Sequence, residues 1–454
     1  MALTASGQLS LGDIATEMGA SLADVSLTTQ STTGINTSSP SYPDGATPHA
    51  ISEFYSYDHS AVGVSYTTLS IDGTNYYTIN SDVITSGYQF DMIFASGSTD
   101  NIIYSYREDS TTAAYIGGLV IDTSGSVQSV GTPVSFVANA GPFNLSQVNS
   151  SGRNIVVYRN IGASGFVRAR LFDYDTGSQS VTLVGSETNV YSGTSNNSVT
   201  DAKRISDTII FAVSNRGGTG IRMHKITISG DTLSASTTLN NFQIGAGTST
   251  TKFMKTGTDS GFVITQRRPV ASGVNRYIDY VAVTNLIGSP SYGTRTQLID
   301  AGGQYISGTG AKYVGNEYGL ISYSEDSTLS GDGKHHVASV SFSGTTLTYG
   351  SEITTTATSA NTLLDSSVHD IIIMETVGSL VYFVSKVAGV LAIFGTINIS
   401  DGTLTKIQEL SSFAPVDFFQ GGDLINASST GEGTNLFILG NNGTDLVALT
   451  GSIS

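Results

Sequence analysis

The sequence predicts an all-β protein: a ring of seven similar sheets, about four antiparallel strands apiece, preceded by a leader with two small helices. Three observations predict it. A strongly apolar strand followed by a polar break recurs seven times along the chain. Short hairpin turns recur between the copies. Spare strand-like sequence lies near the beginning, where the last copy needs an outer strand.

The leader comes first. In SGQLSLGDIATEMG, Leu11, Ile14, Ala15 and Met18 fall at i, i+3, i+4 and i+7, one face of a two-turn helix. Ser10 is its N-cap with Asp13 three residues on, and Gly19 is its stop. Residues 20–46 hold a polar, turn-rich run that reads as linker. In TPHAISEFYSY, Thr47 caps a second helix, Pro48 takes its first position, and Ile51, Phe54 and Tyr55 form an apolar face. Helices this short do not stand alone in water, because nucleation is costly. They pack either on the protein's own body or on a partner.

This leader resembles an N-terminal segment of tailed-bacteriophage structural proteins (tail, fibre and other virion-attached proteins). That segment runs Gly-x-Ile/Leu-Ser-Leu-x-Asp-Ile-x-x-Glu and later Met/Ile-Ser-Glu-Phe-Tyr-x-Tyr. The matching positions are Gly7, Leu9, Ser10, Leu11, Asp13, Ile14 and Glu17, then Ile51, Ser52, Glu53, Phe54 and Tyr55. The resemblance covers residues 1–60 only, and Ile51 stands where Met is commoner. It implies membership of a virion, not a chemistry. It implies that Leu9, Leu11, Ile14, Met18, Ile51, Phe54 and Tyr55 fold onto a partner's surface, with Asp13, Glu17 and Glu53 facing polar or basic groups there.

The seven body copies begin at Ile102 (IIYSYRED), Ile155 (IVVYRN), Ile209 (IIFAVSNR), Phe262 (FVITQRR), Leu320 (LISYSED), Val381 (VYFVSK) and Leu436 (LFILGNN). Successive starts differ by 53, 54, 53, 58, 61 and 55 residues. Each copy follows a weaker strand and precedes an alternating strand, a Gly turn and another strand, as in HKITISGDTLSAS and FGTINISDGTLTKI. One unit is therefore four antiparallel strands, a propeller blade, and seven fit a closed β-propeller. Blades are expected near 80–133, 134–191, 192–242, 243–300, 301–356, 357–413 and 414–454. The last lacks its outer strand, which YTTLSIDGTNYYTI, within 63–80, can supply. The competing architectures are an open β-solenoid, whose repeats are shorter, and stacked sandwiches, which have no reason to keep this beat.

Composition removes several functions. There is no Cys, which excludes disulfides and thiolate chemistry, and no Trp, which weakens a sugar-cleaving reading. With 36 acidic and 20 basic residues the net charge is −16, a poor match to nucleic acid. No Lys or Arg precedes Arg107, so a secretory signal with a basic region is not expected. The longest apolar run, Val387 to Phe394, is too short to span a bilayer.

The residues just past each second strand should share one rim: Arg107, Glu108 and Asp109; Arg159; Asn215 and Arg216; Arg267 and Arg268; Glu325 and Asp326; Lys386; and Asn441. Of these, Arg107, Asp109, Arg159, Arg216, Arg267, Arg268, Asp326 and Lys386 form the candidate ligand rim, suited to an anionic or polar ligand such as a surface glycan. Polar residues that merely solvate loop tips are the plain alternative. The run SEDSTLSGDGKHHVAS holds Asp326, Asp332, His335 and His336, but adjacent His on a strand point to opposite faces and do not share a metal. Ser-x-Asp-x-Gly-x-x-Trp turns of sialidase-type propellers, a P-loop and a dinucleotide fingerprint are all missing. GASGF, Gly162 to Phe166, is not a nucleophile elbow in an all-β repeat.

These readings predict a non-enzymatic phage virion protein, tail or fibre associated and assembled in the host cytoplasm. Its leader anchors it to other virion proteins, and its propeller serves assembly or host-glycan binding. A homo-oligomer or several copies per particle is expected, with no cofactor, metal, nucleic acid or membrane insertion. The alternatives are a glycan-cleaving propeller enzyme and a capsid decoration protein.

Overall fold

The computed structural model describes residues 10–19, 26–32, 43, 50–54, 66–71, 76–81, 90–96, 98, 100–108, 111–122, 126–162, 166–192, 197–216, 220–240, 251–267, 277–302, 305–326, 333–356, 369–387, 391–410, 418–425, 434–441 and 445–454. Among them are seven antiparallel sheets arranged as a seven-bladed β-propeller.

From the inside outward, blade 1 holds Phe90–Phe94, Asn101–Arg107 and Ala114–Ile121, with Val127–Val130 and Val134–Val137 sharing the outer position. Blade 2 holds Ala140–Gln147, Arg153–Asn160, Phe166–Asp175 and Ser180–Tyr191. Blade 3 holds Asn197–Ser206, Ile209–Arg216, Gly220–Ser229 and Thr232–Asn240. Blade 4 holds Thr251–Lys255, Ser260–Arg267 and Tyr277–Thr284, with Ser291–Tyr292 and Thr296–Asp300 outermost. Blade 5 holds Tyr305–Gly315, Tyr318–Asp326, Lys334–Ser343 and Thr346–Thr354. Blade 6 holds His369–Val377, Leu380–Val387, Leu391–Asn398 and Leu404–Leu410. Blade 7 holds Phe418–Ile425, Thr434–Asn441 and Asp445–Ile453. Its outer position is filled from the other end of the chain by Leu69–Ile71 and Tyr77–Ser81.

Each first strand neighbours the first strand of the next blade, and the circuit closes from blade 7 to blade 1. Sheets pack face to face, so the apolar core is divided into seven interlayers. One joins Ile102, Tyr104 and Tyr106 of blade 1 to Phe437 and Leu439 of blade 7. Another joins Ile103 and Ile116 of blade 1 to Val156, Tyr158 and Phe172 of blade 2. Second strands are therefore covered on both faces, which is why Asn101–Arg107 is buried at six consecutive positions and its stretch Ile102 to Tyr104 reads apolar without alternation. Outer strands such as Ser180–Tyr191 alternate between covered and exposed residues and read weakly.

The inner edges are stitched by side chains. Asp91 in blade 1 accepts from the Leu145 amide of blade 2 at 2.7 Å and from its own neighbour Met92 at 2.9 Å. Asp201 in blade 3 repeats this with Phe253 of blade 4 at 2.8 Å and Ala202 at 3.0 Å. These carboxylates satisfy strand-edge amides that a sheet alone leaves open.

The expected blade boundary at 134 is corrected. Val134–Val137 pairs with Ala114–Ile116 and belongs to blade 1. Pro133 has no N–H to give the ladder, so it splits one outer strand in two and makes its second half read as a new blade.

The leader forms helix α1, Leu11–Glu17, and a 3-10 turn, Ile51–Phe54. Ser10 caps α1 in a full capping box with Asp13, and Gly19 follows with φ +66°. The reading of 20–46 as linker is corrected at Leu27–Thr32, a second helix, α2. The Ser26 hydroxyl accepts from the Thr29 amide at 3.1 Å, and Leu27 packs on the leader's core. That core is Ile14 and Phe54, both fully buried, with Met18, Leu27 and Ile51 around them. Ile14 and Phe54 thus pack against each other. Asp13 is engaged with Ser10. Leu11 stays 37% exposed. Thr47, Pro48, Leu9 and Tyr55 lie outside the described residues, as does the side chain of Glu53.

Candidate functional site

In a blade, the turn after the second strand and the connection entering the first strand open on the same face, which follows from antiparallel order. Arg107, Arg159, Asn215, Arg216, Arg267, Glu325, Asp326, Lys386 and Asn441 all fall at or near the last positions of second strands, on that face. They end the strands themselves rather than standing in loops beyond them. Arg107 and Arg159 are half-buried, and burial pulls the Arg159 guanidinium below its usual pKa. Asn215 is buried and accepts from the Thr251 hydroxyl at 2.7 Å. Asp109, Arg268 and Asp332 lie outside the described residues, and only the backbone is described for Arg216, Arg267, Asp326 and Lys386.

Just below this rim, the clefts between blades carry charged clusters. In the cleft between blades 4 and 5, Tyr323 of the second strand stands opposite His336 of the third. Their rings stack at 4.8 Å and 11°. The Tyr323 hydroxyl donates to Glu352 Oε1 at 3.2 Å, His336 Nδ1 contacts the same oxygen, and the Tyr349 hydroxyl donates to Glu352 Oε2. His336 Nε2 lies 3.4 Å from Glu325 Oε2.

The two carboxylates are driven apart. Burial raises Glu325, with the nearby imidazole only partly offsetting it. Burial acts the same way on Glu352, but the bonds from His336 and Tyr349 outweigh it and hold that carboxyl below its ordinary pKa. Burial, and then the Glu352 charge, push the Tyr323 phenol far above its usual range.

The cleft between blades 1 and 2 repeats the arrangement. Tyr158 stands opposite Arg168, its hydroxyl donates to Glu187 Oε2, and Arg168 pairs with Glu187 Oε1. A second-strand tyrosine, a third-strand arginine or histidine and an outer-strand glutamate thus recur three blades apart. Between blades 2 and 3, Arg222 is almost fully buried with its guanidinium 3.8 Å above the Tyr191 ring. Behind it, His224 is bracketed by the Ser214 and Thr237 hydroxyls at 2.8 and 2.9 Å.

The adjacent histidines behave as the alternation requires. His336 faces Glu325 and Glu352, whereas buried His335 reaches Ser385 of blade 6 at 2.8 Å. Among the described residues no cluster of His, Asp and Glu is arranged to hold a metal. On the outer flank of blades 3 and 4 a groove of about 420 Å³ is lined by Thr227, Ser234, Ser236, Thr238 and Tyr292. Lys225 beside it donates to the carbonyls of Ile287 and Gly288.

Sequence reasoning missed Tyr158, Arg168, Arg170, Glu187, Tyr323 and Glu352. A signal existed: charged residues interrupt otherwise apolar third strands in FVRARLF and KHHVASV, and a tyrosine fills the same slot of two copies.

No protein-family model matches the chain, and no curated protein sequence matches it. Among solved structures the chain is similar to the BP39L lectin from Burkholderia pseudomallei, with TM-score 0.51, 9% identity, 83% of this chain and 97% of that one covered. It is similar to the S. cerevisiae core factor with TM-score 0.49 and 9% identity over 86% of this chain, but spans only 63% of that one. A third similarity is to the fungal Aleuria aurantia lectin, described as a six-bladed β-propeller, with TM-score 0.40, 11% identity and 67% and 93% coverage. At these identities the likeness is one of fold.

Proposed function

We propose that this protein is a structural component of a tailed-bacteriophage particle, tail or fibre associated. Residues 1–60 dock onto a neighbouring virion protein, and the propeller is displayed for assembly or host-surface binding. One observation carries the reading: the leader has a core of its own, Ile14 against Phe54, while the ring is closed by Leu69–Ile71 and Tyr77–Ser81. The leader is therefore not needed to seal the propeller and is available for docking, with Leu11 exposed. Multiple copies on a symmetric particle would strengthen a weak individual contact. A position on the capsid surface would use the same anchor.

Deleting residues 1–60 tests this. The expected outcome is a folded propeller that no longer enters particles. Undiminished incorporation overturns the reading.

A glycan-cleaving activity is the second reading, favoured by the opposed tendencies of Glu325 and Glu352 beside His336. Product analysis on a polysaccharide panel decides it: turnover that Glu352→Gln abolishes establishes an enzyme.

A further inference from the structure

We propose that the cleft between blades 1 and 2 recognises the carboxylate of an acidic saccharide through Arg168 and Arg170. Among the described residues Arg153, Arg168, Lys203, Arg204, Arg295 and Lys406 each pair with a carboxylate. Arg170 does not. It is half-buried, its Nε is enclosed, and among the described residues its guanidinium makes neither a hydrogen bond nor an ion pair. Arg168, two residues away and so on the same strand face, gives Nη1 to Glu187 and keeps an enclosed Nε without an acceptor. Glu187 cannot readily serve both, since Tyr158 already occupies its other oxygen.

The surroundings favour a saccharide. Phe172 and Tyr174, on the same strand face as the arginines, lie in the core shared with blade 1, which aims the two guanidiniums into the cleft. Ile103 of blade 1 lies in that core too, and alternation brings Arg107 at the rim to the same side. At the mouth, Phe166 presents a half-buried ring 6.0 Å from the Arg168 guanidinium carbon. A guanidinium fork matches a planar carboxylate, and an aromatic ring matches the C–H face of a pyranose. An acidic peptide side chain would use the arginines but not the ring. This inference rests on the host-surface half of the function proposed above only for where the ligand comes from.

The test titrates the full-length protein with sodium D-glucuronate, D-glucose and sodium acetate at constant ionic strength, following the arginine Nε–H signals by NMR. Glucuronate is expected to saturate and shift the Arg170 signal, glucose to leave it unmoved, and acetate to bind about tenfold more weakly. Arg170→Met should weaken glucuronate at least about tenfold with an unchanged circular dichroism spectrum. If that variant does not fold, Glu187→Gln carries the test: it releases Arg168 and should tighten glucuronate a few-fold. Absent glucuronate binding, acetate as strong as glucuronate, or indifference to these substitutions overturns the proposal. Because no particle is involved, such a failure leaves the anchoring function standing.

Discussion

Leu69 stands opposite Ile453 in an antiparallel ladder, and both are buried in the core shared with blade 6. Thr67 and Thr68 donate to the Ser454 carbonyl at 2.7 and 2.9 Å, so strands from the two ends of the sequence close one blade. Truncating residues 1–65 should leave this closure intact. Truncating 1–81 should strip blade 7 of its outer strands, expose an open edge, and lower the melting temperature by about 10 °C with aggregation. Scanning calorimetry and light scattering on the two truncations check this.

Gly118 lies against the Tyr174 ring of blade 2, where a methyl group would occupy space the ring fills. Its neighbour Gly117 meets Tyr104 on the other face, a Cβ falling 2.6 Å from the ring. Gly118→Ala should destabilise the propeller by about 1–3 kcal/mol through overpacking, measured by urea denaturation. Adding Tyr174→Leu should recover part of the loss.

The leader's core is small enough to be undone by one side chain. Phe54→Ala removes the cover over Ile14 and should abolish hydrogen-exchange protection in residues 11–17 while the propeller's melting is unchanged. Ser10→Ala should weaken the same helix by about 1 kcal/mol through loss of the cap.

Two buried groups set opposite pH trends. Burial, with a smaller push from the Arg222 charge, drives the His224 imidazole down to about 3. A depressed histidine contributes stability that is present above its unfolded pKa of about 6.5 and lost as pH falls toward its folded value, by about 4–5 kcal/mol at most. Burial raises Asp91 to about 6, outweighing the bonds from Leu145 and Met92. That contribution is present below the unfolded carboxyl value and lost as pH rises through 6. The His224 ring carbons should keep neutral shifts at pH 4.5 in NMR. The stability of the wild type relative to Asp91→Asn should fall between pH 4 and pH 7.

The ring was legible in the sequence because second strands are covered on both faces, and seven runs such as IIYSY and IVVY carry that double burial openly. The spare YTTLSIDGTNYYTI was legible for the converse reason: a last blade without an outer strand needs one. The split at Pro133 and the helix Leu27–Thr32 were less legible, since a broken strand looks like a new one and TTQST has no apolar stripe. Strand order alone put the candidate rim residues at the ends of the second strands, but it did not give their partners.

Repeat number and strand order were therefore determined by local pattern, which depends only on residues near each other in the chain. The grouping of Tyr158 with Arg168 and Glu187, of Tyr323 with His336 and Glu352, and of Ile14 with Phe54 was decided by tertiary structure. Each of those sets is assembled by register and packing between segments that no period of the sequence connects. A carboxylate's pKa and an arginine's lack of a partner are properties of such surroundings, and they exist only once the blades have closed.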